Sequence, residues 1–206
     1  MQDYFKHKAS DWDSPMKVTM TEKFVSEVLK NIKINKTLKA MDLGCGTGLV
    51  GLQFADQLKS IVMLDSSRAM TDKLKEKLLH INENDISPDA KIIIVNGSID
   101  KYNTNDIDII FSLMAFHHFE DISSTMEQVS KILQPGGILV IGDLKEEDGS
   151  FHGDEVVPHK GFNIELLAKQ IENAGLDIVI TYTYNSMQKG DKNYEQFILI
   201  ANKTNA

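Results

Sequence analysis

Residues 39–51 read Lys-Ala-Met-Asp-Leu-Gly-Cys-Gly-Thr-Gly-Leu-Val-Gly. An apolar run ends at Leu43 and passes into glycines at 44, 46, 48 and 51. Glycine has no Cβ, so the chain can take positive φ there and a ligand can lie against bare backbone. The apolar run predicts a buried strand. The residues after the turn predict a helix whose first N–H groups face back toward it. A strand, a glycine turn and a helix in an α/β sheet make a nucleotide site.

The flanking sequence alternates strand and helix patterns. Residues 1–14 are polar with Tyr4, Phe5 and Trp12 interleaved, too aromatic for a disordered tail. They are expected to pack down, either over the ligand or over the edge of the core. Ser14-Pro15 opens a helix with an apolar stripe of Val18, Phe24, Val25, Val28, Leu29 and Ile32. Strands are predicted over 38–43, 60–64, 91–95, 107–111 and 138–141. The third is apolar from Ile92 to Val95, as expected of a strand buried on both faces. Helices are predicted over 49–58, from Ser66 or Ser67 to 82, and over 122–133, the last stopped by Gln134-Pro135-Gly136-Gly137. A long connection spans 143–162, a length that is usually functional or disordered. A helix follows over 163–174, then strands over 176–184 and 194–201. No helix separates these last two, so they should form an antiparallel hairpin.

Composition narrows the partners. The 206 residues carry a net charge of −8, and Arg68 is the single arginine. Nucleic-acid binding needs clustered basic side chains, so a small-molecule substrate is expected and no nucleic acid. Cys45 is the one cysteine, which rules out an internal disulfide and points to a reducing compartment. No leader-like or bilayer-length apolar run is visible, so the expected location is cytoplasmic, with no membrane partner.

The glycine turn alone leaves the nucleotide open. Gly46-x-Gly48-x-x-Gly51, with Asp65 about 20 residues on, also fits a dinucleotide fingerprint, and hence an NAD-dependent oxidoreductase. The longer string Asp42-Leu43-Gly44-Cys45-Gly46-Thr47-Gly48 resembles motif I of class I S-adenosylmethionine-dependent methyltransferases. Leu64-Asp65-Ser66-Ser67 resembles that family's acidic end of strand 2. Ile107-Asp108-Ile109-Ile110-Phe111-Ser112, Phe116-His117-His118-Phe119 and Leu133-Gln134-Pro135-Gly136-Gly137 are similar to its later motifs in order and spacing. The likeness is to the small-molecule branch that includes quinone-biosynthesis methyltransferases. It implies a Rossmann-like doubly wound sheet of seven strands, mostly parallel with a C-terminal antiparallel hairpin, and helices on both faces. Residues 1–206 are expected to form one methyltransferase domain: a helical cap over 1–35 and a core over 36–206, with 143–162 as an active-site loop. A monomer or homodimer is expected. A protein that binds the cofactor without catalysis is a further alternative.

The resemblance implies S-adenosyl-L-methionine as cofactor and S-adenosyl-L-homocysteine as product. The implied contacts are Asp42, Gly44, Cys45, Gly46, Thr47 and Gly48 in the turn, then Asp65 and Ser66. Met70, Gly97, Ser98, Ile99 and Asp100 would surround the adenine, and Ser112, Leu113 and Met114 the methionine tail. This cofactor has no phosphate and needs no basic clamp. Asp65 can accept from both ribose hydroxyls, and a charged acceptor strengthens such bonds; a plain helix cap is the other reading. Asp42 is read as fixing the turn or meeting the ammonium group through water. Met70 fits core packing almost as well as a place beside the ring. Cys45 reads as a small packing residue, since no His or Asn partner stands near it in sequence.

Six histidines are present. His7 and His80 read as surface residues, and His117 as helix-start packing or capping. His118, His152 and His159 fall on the functional edge of the sheet. They are expected to converge over the cofactor and shape the acceptor pocket, one acting as base. With Asp143 and Asp154 the same three also contain the ligand types of a metal site, but without compact ligand spacing, and no metal is expected.

Overall fold

The apolar run before the glycine turn forms β1, Lys39–Leu43, with four of its five residues buried. The structure is a computed structural model describing residues 5, 8–80, 86, 90–153 and 155–204. β1 pairs in parallel with β2, Ser60–Asp65, and with β4, Ile107–Leu113. β2 continues outward to β3, Ile92–Asn96, and β4 pairs in parallel with β5, Leu133–Leu144. β6, Leu176–Lys189, and β7, Lys192–Lys203, are an antiparallel hairpin. The order is β3-β2-β1-β4-β5-β7-β6. The chain starts at the middle, runs out to β3 and returns to β4. The switch point therefore lies between the carboxyl ends of β1 and β4, where open α/β sheets bind ligands.

Alternation along the strands divides the core into two layers. Val62 and Leu64 of β2 join Met41 and Leu43 of β1 on one face. That face is covered by α4, Ile122–Ile132, and α5, Ile164–Asn173. Ile61 and Met63 join Ala40, Ile109 and Phe111 on the other. That face is covered by α1, Pro15–Asn31, the short α2, Gly51–Phe54, and α3, Arg68–His80. Phe54 and Phe111 stack there at 4.6 Å with neither ring exposed. Side chains cap three of these helices. Asp121 accepts from the Ser124 N–H at 3.0 Å, Asn163 from Leu166 at 3.2 Å and Ser67 from Met70 at 3.3 Å. These caps answer N–H groups that have no intrahelical partner.

Several sequence expectations need correction. β3 is an edge strand and only half-buried, not covered on both faces. The helix expected over 49–58 is a four-residue α2 followed by a 3-10 turn, Ala55–Gln57. Leu29 of the α1 stripe is 46% exposed. α4 ends at Ile132, but residues 134–137 lie within the bounds of β5, where the β4–β5 register shifts and Gly136 has φ 75°. The hairpin closes at a tight turn at Gly190: β6 runs to Lys189, past the expected 184, and β7 spans Lys192–Lys203 instead of 194–201. Asn82, given as the end of the helix that starts at Ser66 or Ser67, and Tyr4 and His7 lie outside the described residues.

Candidate functional site

The glycine turn reaches the carboxyl end of β2 through Asp65. The Asp65 carboxylate accepts from the Gly46 N–H at 2.7 Å and from the Ser67 N–H at 2.8 Å. Main-chain bonds from Gly44 and Cys45 to the Leu64 carbonyl, at 2.8 and 3.1 Å, lock the same register. Gly44 has φ 74°, and a Cβ there would lie 2.4 Å from that of Ala115, so the residue is glycine for both conformation and space. Asp42 lies beneath the turn, 1% exposed, and accepts from the Gly51 N–H at 2.9 Å. Burial pushes its carboxyl up to about 7. Burial also pushes the Cys45 thiol up, so it has no thiolate character.

A cavity of 810 Å³ opens above this turn. One half is lined by Asp42, Gly44, Cys45, Gly46, Asp65, Ser66, Met70, Gly97, Ser98 and Ile99. The other half is lined by Phe5, Trp12, Met16, Met20, Leu113, Met114, His117, His118, Phe151, His152 and Met187. Four of the cofactor contacts named from sequence do not line it. Thr47 is buried and its hydroxyl donates to Asp13. Gly48, with φ 84°, leaves room for Leu74 of α3, which a Cβ would meet at 2.6 Å. Asp100 accepts from Ser98 Oγ. Ser112 donates to the Leu43 carbonyl at 2.8 Å and ties β4 to β1.

The histidines are arranged differently from the expectation. His118 and His152 both line the cavity, with ring centroids 6.1 Å apart. His159 does not: its Nε2 lies 2.9 Å from the Phe119 carbonyl, and its ring packs 5.4 Å from Phe162. His117, read from sequence as packing, stands between the other two at 4.2 Å from His118 and 4.6 Å from His152. Burial and the neighbouring His117 push His118 down to about 4, and the same causes lower His152. His80 is exposed. Among the described residues no group of three or more His, Cys, Asp or Glu could hold a metal ion; Asp154 lies outside them.

Sequence reasoning named Leu113, Met114, His118 and His152 on the apolar half but did not single out Met16, Met20, Phe151 or Met187. Met114 follows β4 with φ 53°, a conformation a side-chain-bearing residue rarely takes, and its N–H donates to Gly142 at 2.7 Å. The buried Gln196 amide of β7 reaches the sulfurs of Met114 at 3.0 Å and Met20 at 3.2 Å. Met187 arrives through the unexpected length of β6. The N-terminal segment closes the remaining side. Trp12 packs edge-on to Phe5, Phe5 edge-on to His118, and Lys17 Nζ lies 3.0 Å from the Trp12 ring centre. Asp13 pairs with Lys77 of α3, and Lys8 with Glu155 of the long loop at 2.8 Å.

Comparisons with known proteins agree with this geometry. Residues 41–141 match the family model described as a methyltransferase domain. The chain is 29% identical over 151 residues to an uncharacterized methyltransferase of Schizosaccharomyces pombe, covering 68% of this chain and 53% of that protein. It is 27% identical over 125 residues to a ubiquinone biosynthesis O-methyltransferase of Pelagibacter ubique, covering 58% and 50%. The chain thus spans about half the length of these two relatives. Its fold is similar to a chain of the complex between the Haloferax volcanii Trm112 methyltransferase activator and a methyltransferase, with TM-score 0.81, 15% identity and 99% of each chain covered. Residues 41–141 thus match a methyltransferase domain, and the Rossmann-like fold is that of class I S-adenosylmethionine-dependent methyltransferases. The cofactor of that class is S-adenosylmethionine.

The residues present fit that cofactor. The wall contributed by the ends of β1, β2 and β3 has no lysine or arginine, as suits a nucleoside without phosphate. It offers a carboxylate for a diol, bare backbone at Gly44 and Gly46, and apolar Met70 and Ile99 for a ring. No helix among the described residues is long and apolar enough to cross a membrane.

Proposed function

We propose that this protein transfers a methyl group from S-adenosylmethionine to an oxygen, nitrogen or carbon atom of a small-molecule acceptor, and that residues 1–206 act as one catalytic unit. The observation that carries this reading is the continuity of one cavity from Asp65 and the glycine turn to a chamber walled by methionines, aromatics and histidines. When bound, the cofactor supplies a methyl group on a sulfonium centre whose leaving group is a neutral thioether. Asp65 would hold the ribose diol, Gly44 and Gly46 the tail against main chain, Met70 and Ile99 the adenine, and Leu113 and Met114 the methionine portion. Phe5 and Trp12 exclude water. Alignment of the acceptor by the rigid apolar chamber can supply about 7–11 kcal/mol of the barrier. His118 and His152 shape that chamber, and His159 supports it from behind through Phe119.

Isothermal calorimetry with S-adenosylhomocysteine tests the cofactor half, and NADH is the control. Association with the first and none with the second is expected. A radiolabelled methyl donor offered with panels of phenols, alcohols and amines tests the transfer. No association with S-adenosylhomocysteine would sink the reading.

A further inference from the structure

Asp143 gives the histidine cluster an internal order. It is fully buried at the carboxyl end of β5. One oxygen lies 2.7 Å from His117 Nδ1 and accepts from the Leu144 N–H at 2.7 Å. The other accepts from the His117 N–H at 3.3 Å. The carboxylate therefore grips residue 117 by ring and main chain together. An ionised carboxylate only accepts, so Nδ1 carries the hydrogen and Nε2 is left as the ring's acceptor atom. His117 is 2% exposed overall, yet it is a wall residue of the cavity.

The other imidazoles are poorer proton acceptors. His118 is held at about 4, too weak a base to retain a proton at neutral pH. His152 Nε2 is shut away from solvent without a hydrogen-bond partner, so a ligand could reach it only by moving the loop. His159 faces the Phe119 carbonyl, outside the cavity. Burial is the largest single influence on His117 and lowers it, but the charge and hydrogen bond of Asp143, with the charges of Glu155 and Glu147, together leave it raised. The charged or titratable groups acting on it are Asp143, His118, His152, Glu147 and Glu155.

We propose that His117 Nε2 is the general base of this site, that Asp143 is its positioning residue, and that the acceptor is an O–H or N–H nucleophile. This rests on the methyl-transfer reading above. As the acceptor heteroatom forms its bond to the methyl carbon, its proton passes to Nε2. The electron pair of the broken carbon–sulfur bond stays on sulfur, which becomes neutral. The imidazolium so formed is stabilised by Asp143, fixed in place before the reaction. A carbon acceptor without an acidic hydrogen would have no use for this pair.

Long-range imidazole proton–nitrogen spectra of the full chain, labelled with nitrogen-15, test the assignment with and without S-adenosylhomocysteine. The expected result is the Nδ1–H tautomer of His117, titrating above the ordinary value of about 6.5, and a downward move of that titration in Asp143→Asn. His117→Gln should lower turnover of any protic acceptor from the panel by about 10²–10⁴-fold with unchanged affinity for S-adenosylhomocysteine. An Nε2–H tautomer in the unmodified protein, or undiminished turnover in His117→Gln, overturns the proposal. The tautomer needs no variant to fold and no cofactor to bind. Failure of S-adenosylhomocysteine to bind would strike the cofactor reading instead and leave the tautomer to decide this one.

Discussion

Two carboxylates at the glycine turn do opposite work. Asp65 faces the cavity and is held by two backbone donors. Its role as the acidic end of strand 2 was legible because the motif spacing reports it. Asp65→Ala should weaken S-adenosylhomocysteine binding by about tenfold to a hundredfold, since hydrogen bonds to a charged group contribute about 1.5–3 kcal/mol; calorimetry reads this directly. Asp42 is buried, and its folded value of about 7 lies above that of an unfolded aspartate. The folded state therefore binds this proton more tightly than the unfolded chain. The stabilisation is fully present below about pH 4 and is lost as pH rises toward 7, a change of about 4 kcal/mol at most. Asp42→Asn should flatten that slope, which urea unfolding of the cofactor-free protein at pH 5 and pH 8 would reveal. The pairing of His117 with Asp143 was not legible, because the two lie 26 positions apart and no sequence period connects a turn after β4 with the end of β5.

At the scale of elements, the parallel strands and their helices follow from hydrophobic period and capping residues. Asp121 and Asn163, polar residues just before their helices, cap them through side-chain oxygens. What escaped were segments whose form depends on neighbours. β6 and β7 extend to Gly190 because each supplies the other's hydrogen bonds, and a polar strand pattern such as 185–193 gives little apolar signal. That extension delivers Met187 to the chamber. The N-terminal segment was expected to pack down, and Trp12 does so beside the glycine turn: a Cβ on Gly46 would lie 3.4 Å from Trp12 Nε1. Trp12→Ala should open the cavity to water and weaken S-adenosylhomocysteine binding by roughly tenfold, the size expected for loss of one buried aromatic contact. Melting of the cofactor-free variant should change little, because Trp12 belongs to neither main core layer.

For the whole molecule, the cavity lies where the N-terminal segment, the carboxyl edge of the sheet, the long loop and the hairpin meet. A ligand there ties these parts together and stabilises the folded chain by mass action. S-adenosylhomocysteine at 100 times its dissociation constant should add about 2.7 kcal/mol. For a chain of this size that is a rise in Tm of roughly 5–10 °C, measurable by calorimetric melting, and NADH should give none. The sequence by itself determined the α/β class, the terminal hairpin and the residues of the glycine turn, because local period, caps and a contiguous motif carry them. Only the tertiary structure decided that Thr47, Gly48, Asp100 and Ser112 stand off the cavity, that β3 is an edge, and that His117 rather than His159 joins the site. Those facts depend on which distant side chains meet, and contact between residues far apart in the chain leaves no mark in the spacing of either one.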